Sequence, residues 1–319
     1  MIITKILPAA FAVLISMGAA SCFSEVESTK KINADEVRKS RATETPEQKY
    51  LSDIRPVPPA MWEKGRRFRV ADKRIDRIFP TSSINTEELE GTDIIFAGFS
   101  RTGSLTGNNG VEVNFTTGSG QLLSYTLPAM NFDRLDTLKS LDIPFTVDIE
   151  TVERIDREMK GKHFYIKTPL WYTTEERTPL KGLRHINVLI DSVIPGDDNF
   201  PAAVCFTVTD PDAESISNVK NGMVLMSIGK SLAASRNFDK LFNFSNPRRQ
   251  YPEIKDDTWK LIISSKVREG MSVEECRLAL GTPPQVLRTP TYGGMREQWS
   301  YSDGVFLIFD DGFLSRYRL

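Results

Sequence analysis

The spacing of apolar and polar positions changes several times along the chain, and each change marks a different kind of element. Residues 6–17 form an apolar stretch, with Lys5 before it and Gly18, Ala19, Ala20, Ser21 and Cys22 after it. From Ser24 to about Pro59 no apolar period is sustained, which predicts a tether with at most a frayed helix near Ala34 to Arg41. Beyond that point, short apolar strands alternate with Gly, Pro, Asn and Asp turns as far as Ile228, a pattern of small antiparallel barrels.

Those strands occur twice. Lys64-Gly-Arg-Arg-Phe-Arg-Val70 matches Lys160-Gly-Lys-His-Phe-Tyr-Ile166, and Leu89-Glu-Gly-Thr-Asp-Ile-Ile-Phe96 matches Leu180-Lys-Gly-Leu-Arg-His-Ile-Asn187. A third strand follows in each copy (Val111 to Phe115, Val204 to Val208), then a fourth (Leu122 to Leu127, Met223 to Ile228). Gly103 to Gly110 and Pro195 to Asn199 supply equivalent turns, and Ile149 to Met159 reads as a short helix joining the copies. Each unit has the length of an SH3-like barrel, and its Lys-Gly opening resembles bacterial SH3-type domains. An OB-like barrel or one double-sheet sandwich gives a similar strand list. The repeats are expected over 60–145 and 146–232, after a signal peptide over 1–21 and a lipidated tether over 22–59.

The last segment, 233–319, has a helical period. Trp259, Ile262 and Ile263 fall on one face of an expected helix, and Ser272 to Glu275 forms a capping box for a second that ends at Gly281 before Pro283-Pro284. Strands at Gln285 to Arg288, Arg296 to Tyr301 and Val305 to Phe309 follow as a meander, and Asp310-Asp-Gly312 turns into a fourth. Two helices on one face of a three- or four-stranded antiparallel sheet is an α+β layer. The order Gly270-Met271-Ser272, Glu275, Leu280-Gly281-Thr282-Pro283, Trp299-Ser300-Tyr301 and Leu307 to Gly312 resembles the BamE/SmpA/OmlA-like outer-membrane lipoproteins. The resemblance covers roughly the last quarter of the chain and implies a fold and a role in envelope assembly, not a reaction.

Charge excludes some partners. With 41 basic and 42 acidic residues the net charge is −1, so nothing favours nucleic acid or an anionic membrane surface. The N-terminal apolar run is too short to span a bilayer and has the order of a signal peptide. Ala19-Ala20-Ser21-Cys22 resembles the bacterial lipobox, which implies acylation of Cys22 and attachment to a membrane, the outer one in the resembled family. Ordinary cleavage beside an incidental cysteine is the alternative. Cys205 and Cys276 are too few for a disulfide framework and read as buried thiols.

Candidate chemistry is sparse. His163 and His185 sit in expected strands without a metal-ligand spacing, and nothing near Cys205 would activate its thiol. Asp197-Asp198 and Asp310-Asp311 lack the alternating oxygen spacing of a calcium loop. No cofactor and no catalytic residue is expected. Arg248, Arg249 and Tyr251 form a basic loop that reads either as a packed linker or as a recognition loop for a carboxylate or phosphate. Trp171 and Tyr172 would either form a binding platform or close their barrel. The expectation is a non-catalytic, membrane-anchored envelope lipoprotein that binds another envelope protein, or alternatively peptidoglycan or glycan through its barrels.

Overall fold

The structure, a computed structural model, describes residues 44–79, 86–102, 110–228, 236–292 and 294–319. Cys22, the expected signal peptide and the turn over residues 103–109 lie outside these. Side-chain alternation decides how the strands stack: in β1 (Arg67–Val70), Phe68 and Val70 are buried while Arg67 and Arg69 point the other way. The described residues form sixteen strands in three antiparallel sheets, with few helices.

The first sheet adds β2 (Asp93–Thr102), β3 (Gly110–Thr116), β4 (Leu122–Asn131) and β5 (Thr146–Asp148), in the order β4-β3-β2-β1-β5. Its own core gathers Phe68, Ile94, Phe96, Val113 and Phe115. The second contains β6 (His163–Ile166), β7 (Leu170–Tyr172), β8 (Pro179–Lys181), β9 (Ile186–Pro195), β10 (Ala202–Val208), β11 (Asn221–Met226) and β12 (Phe242–Asn243), in the order β12-β6-β9-β10-β11-β7-β8. The meander β4-β3-β2-β1 thus recurs as β11-β10-β9-β6.

Hydrogen bonds fix the correspondence. Gly65 N–H donates to Phe96 O and Phe96 N–H to Arg66 O; Gly161 N–H donates to Ile190 O and Ile190 N–H to Lys162 O. Both opening glycines have positive φ, +98° and +76°, which that turn requires. Each second strand then bulges one residue past its matched position, skipping Ala97 and Asp191. Phe96 therefore corresponds to Ile190, and Gly91 to His185, both of which donate their N–H to the end of the preceding strand. The sequence match of Leu89 to Phe96 with Leu180 to Asn187 is three residues out of this register.

Helix α1 (Ile149–Met159) runs between the copies and buries Val152, Ile155 and Met159, at the spacing expected of an amphipathic helix. Part of the expected tether is packed: Tyr50 O–H donates to Glu158 O at 2.7 Å, its ring meets Phe238 edge-on at 4.5 Å, and Ile54 is buried. Tyr50, Leu51 and Ile54 pack against the core at scattered positions that no local period reveals.

The third sheet is a meander of β13 (Gln285–Thr291), β14 (Gly294–Ser300), β15 (Phe306–Asp310) and β16 (Phe313–Arg318). Positive φ at Asp311 and Gly312 turns β15 into β16. Helices α2 (Asp256–Ile263) and α3 (Val273–Leu280) precede it, and α3 has its capping box: Glu275 N–H donates to Ser272 Oγ and Ser272 N–H to Glu275 Oε2. Trp259 and Ile262 of α2, Cys276 and Ala279 of α3, and Trp299, Leu307 and Phe309 of the sheet share one core with Phe164, Trp171 and Phe206 of the second sheet.

Candidate functional site

Residues that begin the first repeat also build a cleft. Pairing of β5 with β1 sets Asp148 at the start of α1, and the β9–β10 turn comes up opposite, leaving a cleft of about 650 Å³. Trp62, Phe68, Phe145 and Phe200 supply its aromatic wall, and Asp142, Asp148 and Asp198 its carboxylates. Behind that wall lies Arg66, only 4% exposed, whose guanidinium donates to both Asp148 Oδ2 and Glu150 Oε2. Thr151 Oγ1 donates to the same Oδ2, which leaves Asp148 Oδ1 buried without a hydrogen-bond partner. A buried acceptor of this kind carries a desolvation cost of about 1–3 kcal/mol until a donor reaches it.

An ion pair crosses the mouth. Arg74, from the turn after β1, reaches Asp198 at 3.1 Å and lies 4.9 Å over the Phe145 ring. Its hydrogen bond to Asp72 holds that carboxyl down to about 2. The acidic pair in the β9–β10 turn has its oxygens engaged: Asp197 Oδ1 accepts from the N–H groups of Asn199 and Phe200, and Asp198 accepts from Asn199 and Arg74. Among the described residues no group of three or more His, Cys, Asp or Glu has the geometry to hold a metal ion.

The residues singled out in the sequence do not converge. Trp171 is fully buried: its indole N–H donates to Thr168 O at 2.9 Å and its ring meets Phe206 edge-on. It therefore closes its sheet instead of offering a platform, and glycines make the room, since a Cβ at Gly182 would lie 2.0 Å from the ring. Tyr172, next to it, points to a separate small cluster with Ile194 and Phe200, under the Arg236 guanidinium. Arg248 donates to Tyr251 O and Asp256 Oδ1 and sits 5.3 Å over Trp259, while Tyr251 O–H donates to Glu274. Burial, reinforced by Glu274, raises the Tyr251 hydroxyl pKa. This geometry is that of a packed linker; Arg249 alone of the three is exposed. Cys205 and Cys276 are buried free thiols, both shifted upward by burial, Cys276 to about 12.

A polar clamp went unread in the sequence. Arg184 and His185 both reach the Leu278 carbonyl near the C-terminus of α3, at 3.2 and 2.9 Å, where the helix has orphan carbonyls and a partial negative charge. Because Leu278 O only accepts, the imidazole Nε2 carries the proton, and Nδ1 is left buried and unpartnered. Burial lowers the His185 pKa to about 4 and that of Arg184 to about 10. The clamp ties the second repeat to α3. His163, by contrast, is exposed beside Asn187.

No protein family, curated protein or solved structure matches this chain.

Proposed function

We propose that the protein is a non-catalytic envelope lipoprotein, anchored through Cys22, that binds a segment of another envelope protein in the cleft beneath β1 and β5. The observation that carries this reading is an aromatic-walled cleft lined by the carboxylates of Asp142, Asp148 and Asp198. A donor group on an apolar side chain, such as an amide or ammonium, meets both requirements at once. The repeated meander with its shared bulge supports two SH3-like units, and the α3 capping box followed by the four-stranded meander supports a BamE/SmpA-like last segment. Outer-membrane attachment follows from that resemblance.

Two measurements test the proposal. Cys22→Ala is expected to abolish incorporation of labelled palmitate and to move the protein from the membrane pellet to the soluble fraction; unchanged labelling sinks the anchor. A photo-crosslinking residue at Asp142, on the cleft, is expected to give a discrete adduct with another envelope protein, while one at the exposed Lys255 gives none. Matching adducts from both positions would refute the cleft as the binding site. Peptidoglycan or glycan is the second reading, favoured by Asn199 and Thr146 beside the same rings; it requires the protein to co-sediment with purified wall and to lose that on Asp142→Lys substitution.

A further inference from the structure

Every residue of β13 is exposed, and the strand forms an edge of its sheet. The opposite edge is partly covered, because Gly270 N–H donates to Leu314 O, Leu314 N–H to Met271 O, and Val273 N–H to Gly312 O. Exposed apolar groups gather on the hairpin at β13: Val286 is 46% exposed, Leu287 63% and Met295 45%, with Tyr292 fully exposed at the turn. An exposed edge that carries apolar side chains invites another strand unless something limits it.

The register shows what limits it. Met295 in β14 donates its N–H to Asp311 Oδ1 and accepts from Asp311 N–H, so both its backbone groups face away from β13. Its partner Pro290 therefore turns its own backbone toward the open edge, where a missing N–H costs no ladder bond. The pairing of β13 with β14 runs without a register shift, so Val286 and Arg288 face the open edge too, while Leu287 and Thr289 face β14. Just before the strand, Pro284 stands at the same parity. The open edge thus offers two N–H donors, at Val286 and Arg288, between two prolines that offer none.

That arrangement is symmetric about Leu287. When an identical edge is laid antiparallel with Leu287 on the two-fold axis, Val286 exchanges both backbone hydrogen bonds with the partner's Arg288, and Arg288 with the partner's Val286. Pro284 falls opposite the partner's Pro290, so no donor on either strand is left facing a proline. Leu287 meets the partner's Leu287 at a non-hydrogen-bonded position, where side chains approach most closely. Arg288 brings little unbalanced charge, since Glu297 already holds its Nε at 2.8 Å. We propose that β13 is a homodimer interface: a second copy of this chain adds its β13 antiparallel about Leu287 and joins two four-stranded sheets into one of eight. The prolines confine the pairing to one register, so the contact closes on itself and does not propagate.

Disulfide trapping tests this. Paired non-hydrogen-bonded residues have Cα atoms about 4.5 Å apart, within the range of about 4.4–6.8 Å that a disulfide spans. Leu287→Cys in the full-length chain, oxidised in intact cells, is expected to give a reducible species of twice the monomer mass. Thr289→Cys, on the same face but facing Gln285 of the partner subunit, is expected to stay monomeric, as is the unsubstituted chain with its own three cysteines. Dimer from Leu287→Cys alone supports the interface. Equal dimer from both variants, a Leu287→Cys species whose mass fits only a different protein, or no Leu287→Cys adduct would each overturn it.

Discussion

Acidification is expected to weaken the fold through His185, and the size of the effect follows from its seat. The imidazole has an ordinary pKa of 6.5 when unfolded and about 4 when folded, because it is buried beside Arg184 and Lys167 with only Nε2 bonded. Protonating Nδ1 would create a second buried donor with no acceptor. The unfolded chain therefore binds a proton that the folded chain refuses. Stability is fully present above pH 6.5 and is lost as the pH falls toward 4. From those two values the loss is about 2 kcal/mol at pH 5 and about 3 kcal/mol below pH 4. His185→Asn isolates this contribution. Asparagine tolerates the left-handed backbone that His185 adopts at φ +60° and does not titrate; the Nε2 hydrogen bond to Leu278 O that it gives up is the same at every pH and drops out of the pH dependence. Urea unfolding followed by fluorescence of Trp171, Trp259 and Trp299 should then show the wild-type advantage shrinking by about 2 kcal/mol between pH 8 and pH 5. Carboxylates titrate alike in both proteins and cancel in the difference. If the two stability curves run parallel across that range, to within about 0.5 kcal/mol, the refused proton is not at His185.

Other substitutions probe other parts of the structure. Arg66→Met leaves Asp148 and Glu150 without their buried cation and is expected to cost about 3 kcal/mol, read as a lower denaturation midpoint of the first sheet by hydrogen exchange. Trp171→Ala should cost about 3–5 kcal/mol by the same urea assay, since the ring is fully buried between Gly182, Gly222 and Phe206; a cost below about 1 kcal/mol would mean the ring is not in the core. Gly182→Ala pushes a methyl into that ring and is expected to be as damaging as removing it, whereas Gly118→Ala, with open space around it, should be tolerated when both are compared by thermal melting.

What was legible in the sequence was local. The Ser272 capping box, α1 with its Val152, Ile155 and Met159 stripe, and the Asp310 to Gly312 turn each depend on neighbours within one turn of chain. The repeat was legible as strand order, and its register was not. Gly182 looked like the counterpart of Gly91, but the two are glycines for different reasons. Gly91 has φ +75° at the turn into β2, whereas Gly182 leaves room for the Trp171 ring. The true counterpart of Gly91 is His185, which holds the same left-handed position with a side chain that the clamp on α3 uses. The cleft was hidden for a similar reason. Its walls come from residues 56–62, β1, β5 and the β9–β10 turn, and its unpaired Asp148 oxygen exists only because Arg66 and Thr151 both choose the other one.

Two large cores serve the three sheets, and this bears on how the chain can be cut. A last segment excised at residue 233 would carry away α2, α3 and the meander but leave behind Phe164, Trp171, Phe206 and the Arg184–His185 clamp that complete its interior. Such a fragment would present raw apolar faces to water. The first sheet keeps Phe68, Phe96 and Phe115 in a core of their own, with Val147 of its β5 packed into the other core. The first sheet is therefore the part whose interior is most nearly its own, while the second repeat and the C-terminal segment are packed so that a cut at residue 233 opens both.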